Sequence, residues 1–143
     1  MDLPYAEDMN YWKSGQSAPD KWIDDAIRLI EGLGGEVSSQ AFGSEQSGKA
    51  AYMINFMIDG ESFRLIWPVL PVKSGKPSDK IHARRQAATM LYHDVKAKCL
   101  KAAIFGARTA FFEHLLLPDG RIASQVSNPE LVDLAPRLLL TGD

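Results

Sequence analysis

"AAYMINFMIDGESFRLIW", Ala50 to Trp67, decides the fold of this chain. Tyr52, Ile54, Phe56 and Ile58 alternate with Met53, Asn55 and Met57, the period of a strand with one face buried. Asp59-Gly60 follows, a pair suited to a tight hairpin turn that needs positive φ. Phe63, Leu65 and Trp67 then recur on one face of a returning strand, so Trp67 is expected to be largely buried. Pro68 and Pro71 break the sheet, and "VKSGKPS" is a loop.

Upstream, "APDKWIDDAIRLIEGLGG" reads as a helix. Pro19 and Asp20 open it, Asp24 and Asp25 lie near its positive end, and Trp22, Ile23, Ala26, Ile27 and Ile30 recur at helical spacing. Gly34 and Gly35 close it. "EVSSQAF" is the weakest of three strand candidates. Downstream, a long helix is expected from a cap at Ser78 or Asp79 to a stop at Gly106. Ala88, Tyr92, Val95, Cys99 and Ala102 form its buried stripe. "ARTAFFEHLLL" reads as a helical turn or a strand, "PDGR" as a turn and "RIASQV" as a short strand. "NPELVDL" starts a last helix, with Asn128 as cap and Pro129 first.

The fold class is therefore α+β: a three-stranded antiparallel sheet with two helices on one face, in the order α-β-β-β-α. A small C-terminal turn or strand and a helix are added. Residues 1–18 form an N-terminal arm that Tyr5, Tyr11 and Trp12 pin to the body, and residues 19–143 form one domain.

The chain has 143 residues, 45% of them hydrophobic and 24% charged, which is enough apolar material for one core without metal or disulfide staples. Cys99 is its one cysteine, so an intramolecular disulfide is excluded. The opening "MDLPYAEDMNYW" has acids and no apolar run, unlike a signal peptide, and no stretch suggests a membrane span. A cytoplasmic protein is expected.

No enzyme signature is present. His82 and His93 stand 11 residues apart, roughly 16 Å at the helical rise, too far to share a metal. His114 stands alone. Cys99 falls on the apolar stripe, as a buried thiol. "GLGG" ends a helix instead of opening one, and "KSGK" lacks phosphate-loop spacing. No catalytic residue, metal or cofactor is expected.

Charge is distributed unevenly. Lys and Arg minus Asp and Glu gives -5 over residues 1–40, -1 over 41–70, +7 over 71–108 and -3 over 109–143, summing to the net -2. Such polarity suits an anionic partner. The expected nucleic-acid-binding residues are Lys73, Lys76, Lys80, Arg84, Arg85, Lys96, Lys98 and Lys101. Arg84 and Arg85 are expected to flank the core, so that changing both to Glu leaves thermal stability nearly unchanged.

"SGKPSDKIHARRQAA", Ser74 to Ala88, sits at the start of the last helix of an α-β-β-β-α order. In this it resembles the double-stranded-RNA-binding domain, with Ala83, Ala87 and Ala88 as the alanine-rich part. The likeness spans Asp20 to Ala103. It implies phosphate contacts at Lys76, Lys80, Arg84 and Arg85. The adjacent lysine pair of that family is absent, and "GSEQSGK" lacks its Gly-Pro-x-His pattern. The implied partner is therefore nucleic acid in general, DNA or RNA. In style, a compact acidic chain without catalytic residues is also similar to accessory proteins of phages and mobile elements, anti-CRISPR proteins among them. That reading makes the partner a host protein complex, gripped by the basic helix or by the apolar tail "APRLLL". A homodimer paired through its C-terminus is the third arrangement considered.

Overall fold

The computed structural model describes residues 2–15, 17–136 and 139. Its centre is the hairpin. Asp59 and Gly60 turn the chain at φ 53° and 78°, a turn whose twist matches that of the flanking strands. Strand β2 (Ala50–Ile58) pairs antiparallel with β3 (Glu61–Pro68), placing Tyr52 opposite Trp67, Ile54 opposite Leu65 and Phe56 opposite Phe63. Strand β1 (Glu36–Ser44) adds to the other side of β2, giving the order β1-β2-β3.

The ladder of β1 is interrupted at Ser38, between the pairs Val37–Phe56 and Ser39–Asn55. Ser38 Oγ donates to the Asn55 carbonyl oxygen (3.2 Å). The extra residue switches the face of everything beyond it. Val37 and Phe42, five residues apart, thus both pack on the same core.

Helices α1 (Pro19–Gly32) and α2 (Pro77–Phe105) pack against each other and cover one face of the sheet. Ile23, Ala26 and Ile30 from α1 meet Ile54, Phe56 and Leu65 from the sheet, and Ala87, Ala88, Leu91 and Val95 from α2. The expected α-β-β-β-α order and two-helices-on-one-face arrangement are observed. Trp67 is half-buried instead of largely buried, because it lies at the open end of the edge strand.

The caps differ from expectation. Helix α2 begins at Pro77 with Lys76 in the cap position. Ser78 and Asp79 cap nothing, because Asp79 accepts a hydrogen bond from Ser74 Oγ (2.6 Å) while that same oxygen accepts from the Lys76 N–H (3.1 Å). Gly106, at φ 91°, stops α2 as expected.

After Gly106 the chain folds back through α3 (Ala107–Phe111) and a 3-10 turn, Phe112–His114. Phe111 meets Phe56 edge-on at 5.2 Å, and Phe56 stacks on Phe63 at 5.3 Å. "RIASQV" is not a strand. Ile122 makes one bridge to Leu116, and the chain then turns into α4 (Ala123–Ser127), because Gln125 Oε1 reaches back to accept from the Ile122 N–H (3.0 Å). Pro129 does open a last helix, but it is a 3-10 helix, Pro129–Leu134, and Asn128 makes no side-chain cap to it.

The C-terminal addition also crosses to the opposite face of the sheet. Ala135 and Leu139 pack there on Ala51 and Met53. The approach is close: a Cβ on Gly43 would lie 3.0 Å from Leu139 Cγ. Of "APRLLL", Ala135, Pro136 and Leu139 are buried, and Arg137, Leu138 and Leu140 lie outside the described residues.

The arm is tied to α2. Gln86 Nε2 donates to the carbonyl oxygens of Ala6 (2.8 Å) and Asn10 (2.9 Å). Tyr11 stacks on His93 at 5.0 Å, and Trp12 meets His82 edge-on at 5.9 Å.

Truncating Phe56 to Ala removes one of the fully buried rings and is expected to cost about 3–5 kcal/mol. Trp67→Ala, at a half-buried position, is expected to cost less. Urea unfolding of both variants checks this, and the reverse ranking would contradict the face assignment.

Candidate anion-binding groove

The eight basic residues expected to bind together are divided by the fold. Lys73 is held by the arm: its Nζ lies 2.7 Å from Asp8 Oδ1 and 5.8 Å from the Tyr5 ring centre. The hydrogen bond from Lys73 to Asp8 holds its ammonium above the usual lysine range. Lys98 is also engaged. Its side chain is only 13% exposed, and its Nζ bonds the Asp94 carboxylate and Glu113 Oε1, the latter at 2.9 Å. Lys96 is exposed beside Arg28 and Leu100, and Lys101 is exposed further along. Both lie roughly 18 Å or more along α2 from Arg84 at 1.5 Å per residue. Arg85 is half-buried, with its Nε buried and without a hydrogen-bond partner.

Arg84 is where the fold corrects the sequence reading most. It does not merely flank the core. It projects from the first turns of α2 onto the aromatic end of the sheet. Nε donates to Tyr52 Oη at 2.8 Å, and Cζ stands 3.8 Å from the Phe42 ring centre. Burial holds the Tyr52 phenol above its ordinary range, although the Arg84 hydrogen bond pulls the other way. Tyr52 therefore accepts as a neutral phenol, and the guanidinium charge stays uncompensated by it.

Arg84 and Lys80, one helical turn apart, line a groove of about 490 Å³. Its apolar floor is Val69, Leu70 and Val72, and its far wall carries Ser44, Glu45 and Gly48 at the β1–β2 turn. Lys76 is exposed at the residue that starts the helix. A guanidinium held over a ring and bonded at Nε loses little freedom on binding and offers a planar fork of donors. The arrangement can take an oxyanion such as a phosphate. The ring platform was not legible from sequence, because the break at Ser38 hides which face Phe42 takes.

No protein-family model, curated protein or solved structure matches this chain.

Among the described residues no three His, Cys, Asp or Glu side chains gather so as to hold a metal ion. The Cys99 thiol is buried, which pushes its pKa up to about 11 and leaves it un-ionised at neutral pH. No described helix is long and apolar enough to cross a membrane.

The fold also buries His114 beside Glu113 and Lys98. Burial, with the Lys98 charge adding to it, pushes the imidazole pKa from 6.5 down to about 4. The folded state therefore holds His114 neutral where the unfolded chain protonates it. This contribution is fully present above about pH 6.5 and is lost as the pH falls toward about 4, by about 3 kcal/mol in all. Urea unfolding between pH 7 and pH 4 is expected to show the decline, and His114→Leu to flatten it. An unchanged pH profile in the variant would contradict this assignment.

Proposed function

We propose that this chain is a non-catalytic nucleic-acid-binding module, gripping phosphates at the groove lined by Lys80 and Arg84, with Lys76 exposed next to the groove residue Gly75. The observation that carries the reading is the Arg84 guanidinium, stacked on Phe42 and held at Nε by Tyr52 beside the exposed Lys80. Arg85, Lys96 and Lys101 are outlying charge that steers the polyanion without forming the grip. Lys73 and Lys98 are spent on Asp8, Asp94 and Glu113 and take no part. The α-β-β-β-α order supports this reading as analogy with the double-stranded-RNA-binding domain. A non-catalytic role agrees with the inert Cys99 and with His82 and His93 packed against rings of the arm. We assign it a cytoplasmic setting, where such a partner is available.

One observation favours a second reading. Leu100 and Ile104, one turn apart at the far end of α2, are 69% and 70% exposed, and Phe105, the next residue, is exposed as well. Apolar side chains gathered in this way suit a protein surface. A host protein complex, as for a phage or mobile-element accessory protein, is the partner under that reading.

Salt titration on labelled duplex and single-stranded oligonucleotides separates the two. Three phosphate contacts give a log K against log salt slope of about 2 to 3 in magnitude. Changing Lys76 and Lys80, both exposed, to Glu is expected to weaken binding and flatten the slope without loss of thermal stability. Arg84→Lys keeps the charge but loses the fork and the stacking, and is expected to weaken binding about tenfold. Absence of binding by the wild type at about 50 mM salt would reject the nucleic-acid reading.

A further inference from the structure

A second concavity, which shares only Leu70 with the basic groove, lies between the end of β3, the middle of α2, the N-terminal arm and the C-terminal addition. It encloses about 450 Å³, within the roughly 300–1,000 Å³ of small-molecule sites. Trp67, Met90 and Leu131 give it apolar walls, and Asp94, Lys98, Glu113 and His114 form a polar end.

We propose that this cleft binds a small hydrophobic amine, its ammonium held between Glu113 and His114 and its apolar body against Trp67 and Met90. The proposal starts from His114. The residue is only 7% exposed, and both ring nitrogens are buried without a hydrogen-bond partner. The nearby Glu113 Oε1 is 3.9 Å from Nε2, beyond hydrogen-bonding reach. A buried imidazole with neither nitrogen satisfied costs stability, and such groups cluster where a ligand completes the bonding.

Charge then selects the ligand. The polar end holds the carboxylates of Asp94 and Glu113 against one ammonium, Lys98, which is shared between them. His114 is held neutral by burial, as described above. The lining of the polar end is therefore negative by one charge and its cation is already engaged, while Lys101, whose charge also reaches Glu113, stands exposed outside the cleft. An anionic head would meet uncompensated carboxylate, whereas an ammonium supplies N–H donors for both Glu113 and a lone pair of His114. The Trp67 ring and the Met90 thioether suit an aromatic or alkyl body. This inference uses none of the groove residues, so either reading stands or falls without the other.

The test compares 2-phenylethylammonium with phenylacetate, a probe of nearly the same shape and opposite charge, on the full chain. Saturation-transfer NMR detects contact, and calorimetry gives affinity. The amine is expected to bind with a Kd on the order of 1 mM, and phenylacetate at least about tenfold more weakly. Glu113→Gln, at a side chain more than half exposed, is expected to weaken the amine about tenfold. His114→Phe removes the ring nitrogens and is expected to abolish the calorimetric signal. Equal or tighter binding of phenylacetate, an unchanged affinity in Glu113→Gln, or no contact with the amine at about 10 mM would each overturn the proposal. The comparison of the two probes on wild-type protein decides even where a variant fails to fold.

Discussion

The structure depends on how closely α2 approaches the sheet. Ala83, Ala87 and Ala88 are fully buried on its first half, where larger side chains would hold the helix off. Leu91 and Val95 then fill the space over the centre of the hairpin. A helix of 29 residues spans roughly 43 Å, far more than the strands beneath it. The sheet alone cannot bury it. The first half is completed by the arm, through Gln86, and α1 packs along its side. Near its far end, α3 folds back to insert Phe111 against Phe56. The arm, the return and the C-terminal addition are all consequences of seating one long helix.

The same seating decides what the charges do. A formal +7 over residues 71–108 describes the chain, not a surface. Lys98 lies on the side of α2 that meets the C-terminal return, so it becomes an internal ion-pair partner of Asp94 and Glu113. Arg84 faces the aromatic end of the sheet and becomes a fixed guanidinium on a ring. Lys76, Lys80, Lys96 and Lys101 keep their charges in water. An uneven charge count thus resolves into one preorganised cation, four exposed lysines, the half-buried Arg85, and three cations paired with carboxylates: Lys73, Lys98 and Arg108, the last with Glu61.

The hairpin and the stripe of α2 were legible in the sequence because their signals are local: period-two alternation, Asp-Gly, and apolar residues on one side of a helix. Strand β1 was weak because the break at Ser38 puts Val37 and Phe42, residues of opposite parity, on one face. No alternation count survives that. The start of α2 was misplaced because Ser74 and Asp79 bond to each other, a competition that residue types alone do not reveal. The stack joins Arg84 to Tyr52 and Phe42, 32 and 42 residues earlier in the sequence, and the His114 cleft joins β3 to the C-terminal return. Both sites are products of tertiary packing, which explains why the basic residues could be named while their division could not.

Arg84, held by Phe42 and Tyr52, is proposed as the fixed point of an anion-binding groove. NMR mapping with a short oligonucleotide tests this, following backbone amides together with the Arg84 Nε–Hε resonance. Shifts are expected at Arg84 Nε–Hε and at the amides of Gly48, Gly75 and Lys80, saturating together. Shifts confined to the far end of α2 around Lys96 and Lys101, with Arg84 Nε–Hε unmoved, would contradict it.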